Sequence, residues 1–355
     1  MPGSVTGWRN QEEEQMQTTG FWGVVRHCQR FMLAVNCALL APLAVASDYG
    51  IEHPAVLPFV QEMQSEHGFS ADYVLQLLAG AERRQPILDA ISRPAERVRP
   101  WHEYRAIFMT EQRLQQGLEF WDEYAEALER AEQEYGVEPE VIVAIIGVET
   151  FYGRHKGTHR VLDALTTLGF DYPPRADFFR RQLKAFMVLT REQRMDPTVL
   201  TGSYAGAMGY PQFIPSSYQV FAVDFDGDGK VDIWNNPVDA IGSVANYFKE
   251  HKWQHGEPVV VAAEVTGERY AQGITLNDGL QARLTVAELR DLGWQPVSEL
   301  PDDQRVMTFE FDAGDHKQYW IGLDNLYAIT RYNHSVMYAM VVHQLAQQLR
   351  EARNP

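Results

Sequence analysis

The chain has 355 residues, enough to bury a sizeable core and to divide into two or three lobes. It is 45% hydrophobic and 12% aromatic, an ordinary globular composition. Its formal net charge of −17 argues against a nucleic-acid partner, because phosphate binding needs a basic patch and no Lys/Arg run is present, although an anionic polymer could still meet a locally different groove.

Residues Phe31 to Ala46 form an apolar run, preceded by Arg26 and Arg30 and closed by Ala44-Val45-Ala46 before Ser47. This reads as a secretory signal peptide. Pro42 and the small closing residues make it a poor permanent membrane span, so an uncleaved signal anchor is the alternative reading. The polar stretch before Arg26 is unusual ahead of such a signal and suggests a later start, at Met16 for example. Both cysteines, Cys28 and Cys37, lie in or just before this segment, so a mature chain starting near Ser47 contains no disulfide. Asn36 before Cys37 does not fit a lipid-attachment pattern, and a soluble, exported periplasmic protein is expected.

From Pro54 to Ser92 short amphipathic helices are expected, the second capped by Ser70. Residues 92–104, with Pro94 and Pro100, read as an extended connector carrying Trp101 and Tyr104, followed by Arg105. Aromatic and cationic groups there either line a groove or pin the segment to the core. Residues 111–135 form the clearest helix, with Leu114, Leu118, Trp121, Leu128 and Tyr135 on one face and Gly136 at the stop.

Glu138 to Gly153, EPEVIVAIIGVETFYG, is apolar on nearly every face and reads as a buried helix with Pro139 in its first turn. A glutamate at its end, Glu149, loses hydration, which disfavours the charged form and raises its pKa toward the range useful for a proton donor. The bland alternative is a carboxylate at the surface, or a structural pair with Arg154. An amphipathic helix follows residues 173–179, with Phe178, Leu183, Phe186 and Leu189 inward and Arg175 at its start as a surface charge or substrate contact.

Residues 202–217 are rich in Gly, Ser and Pro. Such a loop lets backbone approach a ligand, and Ser203 and Gln212 offer neutral hydrogen bonds, although a tight surface turn has the same composition. Asp224, Asp226 and Asp228 then alternate, with Gly229 at the sixth position and Asp232 at the ninth, the start of a calcium loop in which Lys230 lends its carbonyl. Position twelve is Asn235 instead of the usual glutamate, and Asp239 is the expected substitute. From Glu257 short β-type runs follow, with a capping box of Thr285 and Glu288. The chain ends in an amphipathic helix from Met337 to Arg350, after a junction holding Tyr327, Tyr332, Asn333 and Tyr338.

Five blocks, GVETFYG (147–153), GSYAGAMGYPQFIPSSY (202–218), DFDGDG (224–229), DAIGSVANYF (239–248) and ITRYNHSVMYAM (329–340), together resemble the lytic murein transglycosylase B family. The resemblance implies an α+β, mainly α fold: a lysozyme-like core with a helical lobe and a small β-containing lobe. The expected organisation is an extension and signal at 1–46, a helical lobe at 47–136 completed by 324–355, a catalytic core at 137–256 and a β lobe at 257–323. It implies Glu149 as catalytic acid/base, groove positions at Ser203, Gln212, Tyr332, Asn333, Tyr338, Tyr104 and Arg175, and a structural calcium held by Asp224, Asp226, Asp228, Lys230 and Asp239. The implied reaction is non-hydrolytic cleavage of the β-1,4 bond between N-acetylmuramic acid and N-acetylglucosamine, leaving 1,6-anhydromuramic ends. Implied partners are peptidoglycan strands and, in the cell, wall-synthesis enzymes, with the chain a monomer. A hydrolytic muramidase and a non-catalytic, calcium-stabilised wall-binding protein are the alternatives.

Overall fold

Residues 47–92, 99–275, 280, 282 and 284–354 are described by the computed structural model. The expected signal peptide, the Met16 start and both cysteines lie outside these residues, as does Pro94. Among the described residues no helix is long and apolar enough to cross a membrane.

The chain opens with three short helices, α1 (Val56–His67), α2 (Ala71–Ala79) and α3 (Gln85–Ser92). Gly68, at φ 67°, stops the first, and Ser70 accepts from the Tyr73 amide to start the second, as expected for a cap. The connector reading fails after Pro100. Trp101–Phe108 is a helix, α4, because Pro100 supplies the extended residue at its start, no proline follows, and Trp101, Tyr104 and Phe108 recur on one face packed against the core.

The single helix expected over residues 111–135 is two, α5 (Glu111–Glu123) and α6 (Ala125–Tyr135). They break at Tyr124, at φ −114° and ψ 27°, so that the apolar faces of both reach the same core. Next comes α7 (Pro139–Thr150), whose residues from Glu140 to Gly147 are all buried. Each fully buried Val or Ile contributes about 1.5–3 kcal/mol, which places α7 at the centre of the fold. A short strand β1 (His159–Arg160) leads into α8 (Val161–Asp171), a largely buried helix without an expected counterpart, and then α9 (Ala176–Glu192). On α9 Phe179 is fully buried and Phe178 packs half-buried on the same cluster, because Phe179 stands four and seven residues before the inward Leu183 and Phe186.

Strand β2 (Thr201–Gly202) pairs with β1, and bridges from Gly202 to Met208 and from Met208 to Phe213 fold residues 201–213 back on themselves. Helices α10 (Pro215–Phe221) and α11 (Pro237–Glu250) flank the acidic loop. A five-stranded antiparallel sheet follows, built from β3 (Val260–Val265), β4 (Leu284–Thr285), β5 (Trp294–Pro296), β6 (Arg305–Asp312) and β7 (Lys317–Gly322), in the order β4-β6-β7-β3-β5. The helix α12 (Val286–Asp291) starts with the expected capping box. Alternation along β6 sends Met307, Phe309 and Phe311 into the core around α7, while Val306 joins a smaller cluster with Val286, Leu289 and Trp294. The chain returns through α13 (Asp324–Tyr332) and the long α14 (Val336–Arg353), which packs along α7.

Candidate active site

Glu149 is the penultimate residue of α7, and the backbone just beyond it is unusual. Phe151 and Tyr152 both have positive φ, 52° and 58°, and Gly153 follows at 85°. Holding non-glycine residues there costs roughly 1–3 kcal/mol each, so the surroundings must enforce it. The Phe151 and Tyr152 amides donate to the carbonyls of Gly147 and Ile146. Tyr152 lies over Gly147, where an added Cβ would meet its ring at 2.6 Å, and its hydroxyl donates to the Arg113 carbonyl (3.0 Å). The Arg113 guanidinium donates to the Gly147 carbonyl (3.2 Å) and lies over the Phe151 ring. Thr150 Oγ1 donates to the Tyr210 carbonyl (3.1 Å) and accepts from the Gly153 amide (3.0 Å).

Glu149 is half-buried as a residue, and its carboxyl is walled in by protein. Burial pushes its pKa up to about 7, opposed by one hydrogen bond from the Tyr338 hydroxyl to Oε1 (2.5 Å). Arg154, the alternative structural partner, stacks toward the Phe151 ring instead. Among the described residues no second carboxylate contributes to the shift of Glu149. Its neighbours in charge are tyrosines: burial first, and the Glu149 charge second, push the hydroxyls of Tyr338, Tyr332 and Tyr104 upward. All three therefore stay protonated near neutrality and can act only as hydrogen-bonding groups.

The other expected groove residues divide. Tyr332 donates to the Pro211 carbonyl (2.6 Å), tying α13 to the glycine-rich loop. Gln212, at φ 51°, donates from Nε2 to the carbonyls of Lys156 and Gly209, which fastens that loop to the turn after Glu149. Ser203 Oγ accepts from the amides of Ala205 and Ala207, so its oxygen shapes its own loop. Asn333 is exposed at the end of α13, and its carbonyl accepts from the Ser335 amide. Arg175 is exposed with its guanidinium on the rings of Phe178 and Phe179, and no hydrogen bond joins it to the Glu149 group.

Arg113, Thr150, Lys156 and Tyr210 escaped the sequence reading although they hold the Glu149 turn. Only Thr150 and Tyr210 fall inside motifs, and nothing in their spacing signals a pairing across sixty residues. The Lys156 ammonium lies 4.5 Å from the Tyr210 ring centre and donates to the Trp234 carbonyl, so it bridges the active-site turn and the acidic loop.

In that loop Asp224, Asp226 and Asp239 bring one carboxylate oxygen each within 4.8 Å of one another. Asp224 accepts from the amides of Gly227, Asp228 and Gly229, and the two glycines sit at φ 78° and 87° as the sharp turn requires. Asp239, fully buried, accepts from the amides of Phe225 and Asp232 and closes the loop onto α11. Asp239 thus stands where Asn235 was passed over, and Asn235 turns to Asp232. Asp228 lies outside the converging set, its Oδ1 accepting from the Lys230 amide. Three carboxylates so close repel unless a cation joins them, and all-oxygen ligands with tight glycine turns suit a hard divalent ion.

Comparison with known proteins gives this geometry a context. The transglycosylase SLT domain matches residues 52–347. The chain belongs to the transglycosylase SLT domain family. The membrane-bound lytic murein transglycosylase B of Escherichia coli (strain K12) is 44% identical over 310 residues, 85% of this chain and 84% of the relative. The lytic transglycosylase SltB1 from Pseudomonas aeruginosa matches with a TM-score of 0.83 at 55% identity, covering 85% of this chain and 98% of that one. The Escherichia coli lytic transglycosylase Slt35, solved in complex with calcium, matches with a TM-score of 0.80 at 44% identity, covering 87% of this chain and 96% of that one. The mainly helical α+β fold expected from the sequence is therefore the fold of SLT-domain transglycosylases.

Proposed function

We propose that the chain is a lytic transglycosylase of peptidoglycan and that Glu149 is both its acid and its base. The observation that carries this reading is a lone carboxyl, walled in so that burial pushes its pKa up to about 7 and held by one tyrosine, with no partner carboxylate among the described residues. Ordinary glycosidases use two carboxyl groups, one as acid and one as nucleophile or base. With one, the substrate must supply the second group. Glu149 gives its proton to the glycosidic oxygen leaving with N-acetylglucosamine, and the C1–O bond breaks as the muramic acetamido oxygen bonds to C1. The carboxylate then takes the proton of the muramic C6 hydroxyl, whose oxygen displaces the acetamido oxygen from C1. The anhydro ring closes, no water is consumed, and Glu149 is again protonated.

Around that carboxyl, Tyr338 orients it, and Tyr104 and Tyr332 line the same pocket. Ser203 and Gln212 shape the loop against which the strand would lie, and Asn333 and Arg175, both exposed, would meet it from outside the Glu149 group. The acidic loop would hold calcium through Asp224, Asp226 and Asp239, with the Lys230 carbonyl and Asp228 completing the shell. The ion stabilises the fold there, as suggested by its link to the active-site turn through Lys156 and by a related enzyme solved with calcium. The apolar Phe31–Ala46 run exports the chain to the periplasm, where it meets peptidoglycan strands.

Glu149→Gln preserves the shape and the bond to Tyr338 while removing the acid. It is expected to fold, to bind purified peptidoglycan in a sedimentation assay, and to lose cleavage by at least about a hundredfold. Cleavage near the wild-type rate would overturn the assignment.

A further inference from the structure

Arg113, in the first turn of α5, joins the ends of two other helices. Its Nε donates to the Gly147 carbonyl (3.2 Å) in the last turn of α7, and its Nη1 donates to the carbonyls of Ile107 (3.0 Å) and Phe108 (3.1 Å) at the end of α4. The last carbonyls of a helix have no partner within it, so the planar fork of one guanidinium can serve both ends. Its own carbonyl accepts from the Tyr152 hydroxyl (3.0 Å). Tyr152 reaches it because Gly117, one turn along α5, leaves room: an added Cβ there would meet that hydroxyl at 2.5 Å.

A row of side chains carries the contact onward. The guanidinium lies 5.1 Å from the Phe108 ring centre and 4.8 Å from that of Phe151, and Phe108 packs on Tyr104 with ring centres 5.3 Å apart. Tyr104 ends the row near Glu149, whose charge, after burial, pushes its hydroxyl upward. Among the described residues nothing hydrogen-bonds that hydroxyl, so the backbone of α4 and this row of contacts decide where it stands. Helix α4 has two other ties, from Arg105 to Gln344 and from His102 to the Asp312 carbonyl, and both lead away from α7.

We infer that Arg113 is a positioning residue for the reaction: by joining α4 to the end of α7 it fixes the Tyr104 hydroxyl relative to the carboxyl of Glu149. The inference rests on the transglycosylase reading for its chemistry. A misplacement of about 1 Å at a reacting centre can cost about a hundredfold in rate, so a clamp that touches no substrate still acts on turnover.

The test is a double-mutant cycle of Arg113→Lys and Tyr104→Phe on purified peptidoglycan, well below the Tm of every variant. Lysine keeps the charge but lacks the fork, so it cannot hold both helix ends. Alone it should lower kcat about tenfold and leave KM within about twofold. In the Tyr104→Phe background it should lower kcat less than about twofold, because the hydroxyl it places is gone. A wild-type kcat in either single variant, or losses that simply multiply, would overturn the inference. Arg84→Gln breaks the bridge to Asp163 on α8 and controls for stability, with Tm lowered and kcat unchanged. A kcat loss matching that of Arg113→Lys at equal Tm would make Arg113 merely structural.

Phe108→Leu, which keeps an apolar filler but removes the ring between the guanidinium and Tyr104, is the second variant should Arg113→Lys not fold. It should lower kcat in the same way, and an unchanged kcat counts against the clamp. The carboxyl of Glu149, followed by carbon NMR and identified with Glu149→Gln, gives an arm that needs no substrate. Loosening the turn admits water, so in Arg113→Lys its midpoint should move down from about 7 by roughly half a unit or more. An unmoved midpoint overturns the inference even if the wild type cleaves no peptidoglycan, the result by which the transglycosylase reading alone would fall.

Discussion

Glu149 owes its acidity to what surrounds it. Its ordinary pKa of 4.5 rises to about 7 because burial penalises the carboxylate, and the Tyr338 hydrogen bond recovers part of that penalty. A carboxyl raised in this way holds its proton below about pH 7 and loses it above, so kcat/KM should fall on the alkaline side with an apparent pKa near 7. Tyr338 donates to the charged form and so lowers the pKa. Tyr338→Phe should therefore move the alkaline limb upward by roughly half a unit to one unit, measurable in a pH profile. An unmoved or lowered limb would mean that the hydrogen bond does not act on Glu149. The buried helix that ends at Glu149 was legible in the sequence as an apolar run, whereas the choice of an acid/base over a surface carboxylate or a pair with Arg154 came only with the family resemblance. Tyr338 came with the family resemblance as a groove position only, and its hydrogen bond to Glu149 was not foreseen, since a contact across 189 residues leaves no local pattern.

At the scale of elements the turn after α7 is the critical piece. Gly153, at φ 85°, lies beneath the Tyr210 ring, where a Cβ would come within 2.1 Å. Gly153→Ala combines backbone strain with a steric clash and should cost about 2–4 kcal/mol, read as a lowered midpoint in urea unfolding. An unchanged midpoint would show that the turn relaxes freely. The sequence displayed α1, α2, α9, α14 and the capping box of α12 because periodicity and caps are local signals. It concealed the start of α4 behind prolines and the break at Tyr124 inside an unbroken apolar period. The buried α8 was concealed too, because a helix apolar on most faces has little periodicity to read.

Across the whole molecule the acidic loop and the active site share one framework. The Tyr210 amide donates to the Ile233 carbonyl (2.9 Å), Lys156 donates to Trp234, and Tyr210 sits on Gly153. An ion bound by Asp224, Asp226 and Asp239 would thus brace the turn that carries Glu149. Removing calcium with a chelator should lower Tm by about 5 °C, and an unchanged Tm would detach the ion from the fold. The acidic loop was legible from alternating aspartates, whereas the convergence of Asp224 and Asp226 on Asp239 and the links to the active-site turn depend on contacts that only the folded chain makes. The central claim, that one carboxyl serves as acid and base without water, is tested most directly by digesting peptidoglycan in water labelled with heavy oxygen and weighing the products. The account predicts anhydromuramic ends, one water lighter than hydrolysed fragments and free of label. Labelled, reducing muramic ends would contradict it and require a second group that activates water.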